Sequence, residues 1–145
     1  MSRPVFETVV AALLPLFFLA GCGAGSDDHR PTATLSGVVT LDGNPLPAGS
    51  IQFTSTRTGE TAYANLSSDG RYLIEMPAVD VGTEYDVTIG PPIEEDLDAT
   101  ALEENPPEKI RQLIPRKYSA RTTSGLKVTI ANAGANEFDF DLQSK

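Results

Sequence analysis

Few side chains in this sequence are suited to chemistry, and most are poorly placed for catalysis. The 145 residues include one cysteine, Cys22, and one histidine, His29. His29 stands among Asp27, Asp28 and Arg30 in a stretch of small and polar residues, where nothing would hold an imidazole against a substrate. A general base works only when it is positioned. The chain contains no HExxH, GxSxG, CxxC or glycine-rich phosphate loop, which sets aside the common zinc, hydrolase and nucleotide chemistries. Carboxylates are plentiful, with Glu94, Glu95, Asp96, Asp98, Glu103, Glu104 and Glu108 crowding one segment. A glycosidase acid needs a shielded pocket to raise its pKa, whereas mutually repelling acids point to solvent. Hard cations take oxygen ligands gathered on one loop, so a calcium site would be built on Glu94, Glu95, Asp96 and Asp98. Their spacing lacks the glycine and terminal glutamate of an EF-hand, and a solvated acidic loop is the simpler reading. The expectation is a protein that is not an enzyme and takes no cofactor.

Cys22 has a more specific setting. Arg3 supplies a short positive start, although Glu7 is unusual beside it. Val9 to Ala20 is apolar apart from the break at Pro15, and small residues precede the cysteine. Twelve helical residues reach roughly 18 Å, well short of the ~30 Å hydrocarbon core of a bilayer. The stretch therefore reads as a signal peptide rather than a permanent span. Leu19-Ala20-Gly21-Cys22 resembles the lipobox of bacterial lipoproteins. The resemblance implies that the Cys22 thiol is alkylated by diacylglycerol, that the chain is cut between Gly21 and Cys22, and that the new amino group is acylated. Ala20 and Gly21 let a peptidase approach the backbone, and only a thiol gives the thioether. An ordinary secretory peptide and an uncleaved anchor are the alternatives. A lipid-anchored cell-envelope location follows, with the membrane as a partner reached through more than one acyl chain. Gly23 in place of Asp after the cysteine implies the outer membrane under the Gram-negative sorting rule.

Removing residues 1–21 takes away one arginine and one glutamate, so the mature chain keeps the formal charge of -9. That acidity argues against nucleic acid and against an electrostatic grip on anionic lipid. With Cys22 lipidated, no thiol is left for a disulfide, so one domain has to stand on its own packing.

The elements follow from periodicity. Residues 22–32 are the lipidated cysteine and a tether rich in Gly, Ser, Asp and Pro; the domain occupies 33–145. Its period is two: Leu35, Val39 and Leu41; Ile51 and Phe53; Ala62, Ala64 and Leu66; Tyr72, Ile74 and Met76; Tyr85, Val87 and Ile89; Leu126, Val128 and Ile130; Phe138, Phe140 and Leu142. Asp42-Gly43 and Ser67-Ser68-Asp69-Gly70 mark turns, and the second predicts a hairpin between the third and fourth strands. Asp139 and Asp141 alternate with core phenylalanines and are expected to guard a strand face against edge pairing. Seven short strands make an all-β, two-sheet sandwich of prealbumin-like or immunoglobulin-like kind. A long insertion, residues 92–124, interrupts it: acidic in its first half, basic from Lys109 to Arg121 in its second. Within it Pro107 opens a short helix that places Ile110, Leu113 and Ile114 on one docking face, and Pro115 ends it.

Leu35-Ser36-Gly37-Val38-Val39-Thr40-Leu41-Asp42-Gly43-Asn44-Pro45-Leu46, Asp69-Gly70-Arg71-Tyr72 and Gly82-Thr83-Glu84-Tyr85-Asp86-Val87 together resemble the carboxypeptidase regulatory-like and transthyretin-like β-sandwich domains. With Ile114-Pro115-Arg116-Lys117-Tyr118 and Phe138-Asp139-Phe140-Asp141-Leu142, the chain looks like the small lipoproteins of this type found in planctomycetes. The resemblance implies an accessory or binding module rather than a catalyst. Tyr85, following Gly82 at a strand start, is a candidate tyrosine corner, with a buried ring and a hydroxyl bonded to upstream backbone. The leading expectation is a non-catalytic structural or protein-binding module that meets an envelope protein through 92–124. The alternative is an envelope-tethered carbohydrate-binding module, for which Tyr63 and Tyr118 are the stacking residues in a chain without tryptophan.

Overall fold

A computed structural model describes residues 30–96 and 99–145. In chain order the strands are β1 (Ala33–Leu41), β2 (Asn44–Pro45), β3 (Ser50–Ser55), β4 (Thr61–Asn65), β5 (Arg71–Met76), β6 (Glu84–Gly90), β7 (Leu126–Thr129), β8 (Gly134–Glu137) and β9 (Phe140–Leu142). Between β6 and β7 lie α1 (Ala99–Glu104), α2 (Pro107–Leu113) and α3 (Arg121–Ser124), with 3-10 turns at Glu94–Asp96 and Arg116–Ser119. β1 is the middle of one sheet: antiparallel β5 and β2 flank one edge, and β8 and β9 run parallel to it along the other. The second sheet is antiparallel, in the order β4-β3-β6-β7.

The period of two places one face of each strand in the core. Ala33, Leu35 and Val39 from β1 meet Ile51, Phe53, Val87 and Ile89 from the other sheet, all fully buried. The Phe53 ring lies 5.8 Å from Tyr72 and 6.3 Å from Phe140, tilted against both. Burying a side chain of this size is worth about 1.5–3 kcal/mol, which lets packing carry the fold without a staple.

The two sheets match the expectation, but the strand count differs. Asp42 (φ 50°) and Gly43 (φ 81°) both take the left-handed conformation of a tight hairpin turn, and the turn returns Asn44–Pro45 to β1 as a strand of two residues. The last predicted strand forms only over Phe140–Leu142, as β9, and a strand that alternation did not mark, β8, precedes it at Gly134–Glu137.

The expected hairpin between the third and fourth strands does not form. Its turn exists, with the Gly70 amide donating to the Ser67 carbonyl at 2.8 Å, but β4 and β5 belong to different sheets. Leu66 N–H continues the β3–β4 ladder onto the Gly49 carbonyl, and four residues later the Gly70 carbonyl accepts from Val39 N–H on β1. Alternation fixes which face of a strand is buried and is silent about which strand lies alongside. Crossing between sheets lets Leu66 and Tyr72 enter the same core from opposite sides. Gly70 is required there: φ is 76°, and a Cβ would stand 2.5 Å from the Val39 carbonyl oxygen.

The registers give the sandwich two distinct ends. Ala33 lies opposite Met76 and Gly134, and Glu84 opposite Thr129, so residues 30–33, 55–61, 76–84 and 129–134 share one end, the proximal one. Leu41 lies opposite Asn44 and Leu142, and Ser50 opposite Asn65 and Gly90, which collects 41–50, 65–71, 90–93 and 142–145 at the distal end.

Candidate functional site

The insertion is mostly helical and sits at the distal end. Its first residues are fixed by one side chain at the end of β4. Asn65 Nδ2 donates to the Ile93 carbonyl at 2.9 Å while its Oδ1 accepts from Ile93 N–H at 2.8 Å, so the amide stands in for a strand partner. Pro107 opens α2, where its missing N–H costs nothing, and Ile114, preceding Pro115, is extended and stops it. Ile110, Ile114 and Tyr118 are buried in the common core. Leu113 departs from the expected docking face. It is 42 % exposed and lines a groove of about 340 Å³ with Leu41, Pro45, Leu46 and Pro47. Three residues beyond Ile110 but only one before Ile114, it falls at the edge of the apolar stripe, where turning the helix to bury it would lift the others.

Downstream, the Tyr118 hydroxyl accepts from Gln143 N–H at 2.9 Å, and Ser119 Oγ donates to the Ile89 carbonyl at 3.3 Å. Arg121 lies 3.6 Å from Asp86. The insertion is thereby tied at its start to β4, in its middle to the core and at its end to β6 and the C-terminal segment. Tyr118 is 6 % exposed and offers no stacking surface; Tyr63, at 52 %, presents its ring on the outer face of β4. The stacking role expected for Tyr118 is therefore corrected, because its ring fills the distal core and its hydroxyl serves the backbone.

Glu94, Glu95 and Asp96 form an exposed 3-10 turn with no buried residue. Among the described residues no three His, Cys, Asp or Glu side chains gather where a metal ion would sit. Asp98 lies outside the described residues, as do Gly21, Cys22 and His29. Among the described residues no helix is long and apolar enough to cross a membrane.

Asp139 and Asp141 have work that alternation did not reveal. Asp139 Oδ1 accepts from Val38 N–H at 2.8 Å; Asp141 Oδ1 accepts from Thr40 Oγ1 at 2.6 Å and from Gly43 N–H at 3.0 Å. They take up β1 donors and brace its turn, a bonding role beside the expected edge-guarding one, since β9, paired to β1, stands at the outer edge of its sheet. These bonds hold the Asp141 carboxyl below the usual range, Thr40 contributing most. Beside Asp139, the Phe138 carbonyl accepts from the Tyr72 hydroxyl at 2.7 Å and passes so close to Gly37 that a Cβ there would lie 2.0 Å from its oxygen. Burial pushes the Tyr72 hydroxyl well up, helped by the charges of Asp139 and Glu137.

At the proximal end Tyr85 is 2 % exposed. Burial raises its pKa, and a hydrogen bond with the Asp80 backbone, five residues upstream, opposes that rise. Its ring borders a cleft of about 240 Å³ lined by Glu60, Thr61, Ala62, Met76, Pro77 and Ala78. Beside this cleft stands an ion cluster with no local signature along the chain: Arg30 reaches Glu60 and Asp80, and Arg57 also pairs with Asp80. Arg30–Thr32, assigned by composition to the tether, are bonded to the sandwich.

No family model matches the chain, and no curated protein matches it. The solved structures that are similar in shape include two of bacterial proteins. One is the dioxygenase domain of a dioxygenase and carbohydrate-binding protein fusion from the cellulolytic bacterium Streptomyces sp. SirexAA-E, with TM-score 0.42, 15% identity, and coverage of 83% of this chain and 84% of that chain. The other is a DUF3823 family protein from Parabacteroides merdae, with TM-score 0.34, 13% identity, and coverage of 77% of this chain and 46% of that chain. At these scores neither similarity assigns a family, a ligand or a reaction.

Proposed function

We propose that this protein is a lipid-anchored component of the cell envelope whose sandwich, of carboxypeptidase regulatory-like type, is a non-catalytic binding or structural module that meets an envelope protein through its insertion. One observation carries the reading: the segment that follows the lipobox joins the sandwich at the proximal end, while the insertion covers the distal end. The chain that leads from Cys22 is received at Arg30, at the pole opposite a contact surface on 92–124, so the two do not compete for space. The insertion offers charge of both signs and the apolar groove at Leu113, a mixed surface suited to a protein partner. Tyr63 is the only tyrosine exposed among the described residues, a small platform for the alternative, a glycan.

The test is fractionation of cells expressing the full chain. The native protein is expected in the membrane fraction and Cys22→Ser in the soluble envelope fraction. Equal membrane retention of the two would overturn the anchor. A photo-crosslinker at Gln112 should give a discrete protein adduct that the same group at Glu75, on β5, does not; equal yields at both positions would overturn the surface.

A further inference from the structure

The ion cluster at the proximal end is built around the point where the chain joins the sandwich. Arg30 makes a two-pronged contact with Glu60, Nη1 to Oε2 and Nη2 to Oε1 both at 3.1 Å, and Nη1 lies 3.4 Å from Asp80 Oδ2. Arg57 grips the same Asp80 oxygen from the loop after β3, and Thr58 Oγ1 donates to Glu60 at 2.9 Å. The Asp80 side chain is only 16% exposed and lies between two guanidinium groups. The backbone continues the attachment: the Pro31 carbonyl accepts from Val79 N–H at 2.8 Å, and the Thr32 carbonyl from Gly134 N–H at 3.1 Å. Isolated exposed ion pairs contribute little, but a two-pronged arginine contact within a network has the geometry that fixes direction.

We propose that Arg30, Arg57, Glu60 and Asp80 form an orientation clasp, which ends the tether at Arg30 and holds the sandwich with its proximal end toward the bilayer and its insertion away from it. This rests on the lipid-anchor reading. The chain from Cys22 to Arg30 spans at most about 26–29 Å when fully extended. β1 alone rises about 26–27 Å between the two ends. A body about as tall as its leash is long turns over readily if the joint is loose, and the clasp makes the joint stiff. The insertion is then held on the outward pole, where a partner standing off the membrane meets it. Because the cluster lies at the surface, its grip weakens as salt shortens the screening length to about 3 Å at 1 M.

Two measurements on the full chain decide this. In the first, lipidated protein is placed in phosphatidylethanolamine/phosphatidylglycerol vesicles carrying a lipid acceptor dye, with a donor at Ala133→Cys (proximal) or Ser68→Cys (distal). Energy transfer should be strong from residue 133 and weak from 68, and Arg30→Ala with Arg57→Ala should bring the two together, as should 1 M salt. Equal transfer in the otherwise native chain, or a difference that survives loss of both arginines, overturns the orientation role. In the second, amide exchange at Val79 is followed in solution on Cys22→Ser, with and without Arg30→Ala; the clasp predicts about tenfold faster exchange without the arginine. An unchanged Val79 rate overturns the clasp. Failure of the native chain to float with vesicles overturns the anchor and the orientation with it, while Val79 exchange still decides whether the clasp exists.

Discussion

Two buried tyrosines act through their hydroxyls as well as their rings. Tyr72 donates to the Phe138 carbonyl and Tyr118 accepts from Gln143 N–H, so each ties an element to a segment distant from its neighbours in the sheet. Tyr85→Phe keeps the ring and removes the hydroxyl that a tyrosine corner would use. It should lower stability by roughly 0.5–1.5 kcal/mol, and chemical denaturation with an unchanged midpoint would dismiss the corner role. Gly37 makes a sharper prediction. Its φ is 156°, and the Phe138 carbonyl occupies the place of a Cβ, so Gly37→Ala forces β1 away from the β8–β9 junction. A loss of about 1–3 kcal/mol is expected, with the greatest exchange increase at Phe138, whose N–H bonds to the Ser36 carbonyl. Wild-type stability would show that the junction moves aside freely.

Among the elements, the insertion departs most from its sequence description. Pro107, Ile110, Ile114 and Pro115 marked α2 because their roles are local: a start, a stripe and a stop. Asn65 gave no local sign, since its two bonds run to a residue 28 positions away. Asn65→Ala leaves Ile93 N–H and C=O without those partners. It should cost about 1–3 kcal/mol and loosen 92–96 first. Amide exchange that rises instead across β3 and β4 would assign Asn65 to the sheet rather than to the insertion. Asp139 and Asp141 teach the same lesson, because their partners on β1 lie 101 residues away.

For the molecule as a whole, charge and proton binding set the response to acid. Asp42, Glu60, Asp69, Asp80 and Asp141 all titrate below the ordinary 3.8 or 4.5, chiefly through hydrogen bonds from Ser144, Arg30, Ser67, Arg57 and Thr40 respectively. A carboxyl with a lower pKa in the native state binds fewer protons there than in the unfolded chain. Its stabilisation is therefore complete above the unfolded value and is lost as pH falls through the native one. Melting temperature should be flat from about pH 5 to 8 and drop below about pH 4. Asp80→Asn should reduce that acid slope, and an identical slope in the variant would show that Asp80 plays no part in it. At the alkaline end the buried Tyr72 holds its proton above the ordinary value of 10.0, so stability falls as pH rises beyond that value.

The sequence by itself determined what depends on neighbours along the chain. A period of two predicted strands with one buried face, Asp42-Gly43 a tight turn, and Pro107 and Pro115 the limits of a helix, because dihedral preference and side-chain alternation act over a few residues. The setting of Cys22 is equally local, and it lies outside the described residues. Tertiary structure alone decided which strands pair, that Ser67–Gly70 carries the chain between sheets, that Leu113 faces outward while Tyr118 is buried, and that Arg30 meets Glu60 and Asp80. Those facts depend on contacts 30, 50 or 101 residues apart, between groups whose types say what they can bond to but not which distant partner folding brings within reach.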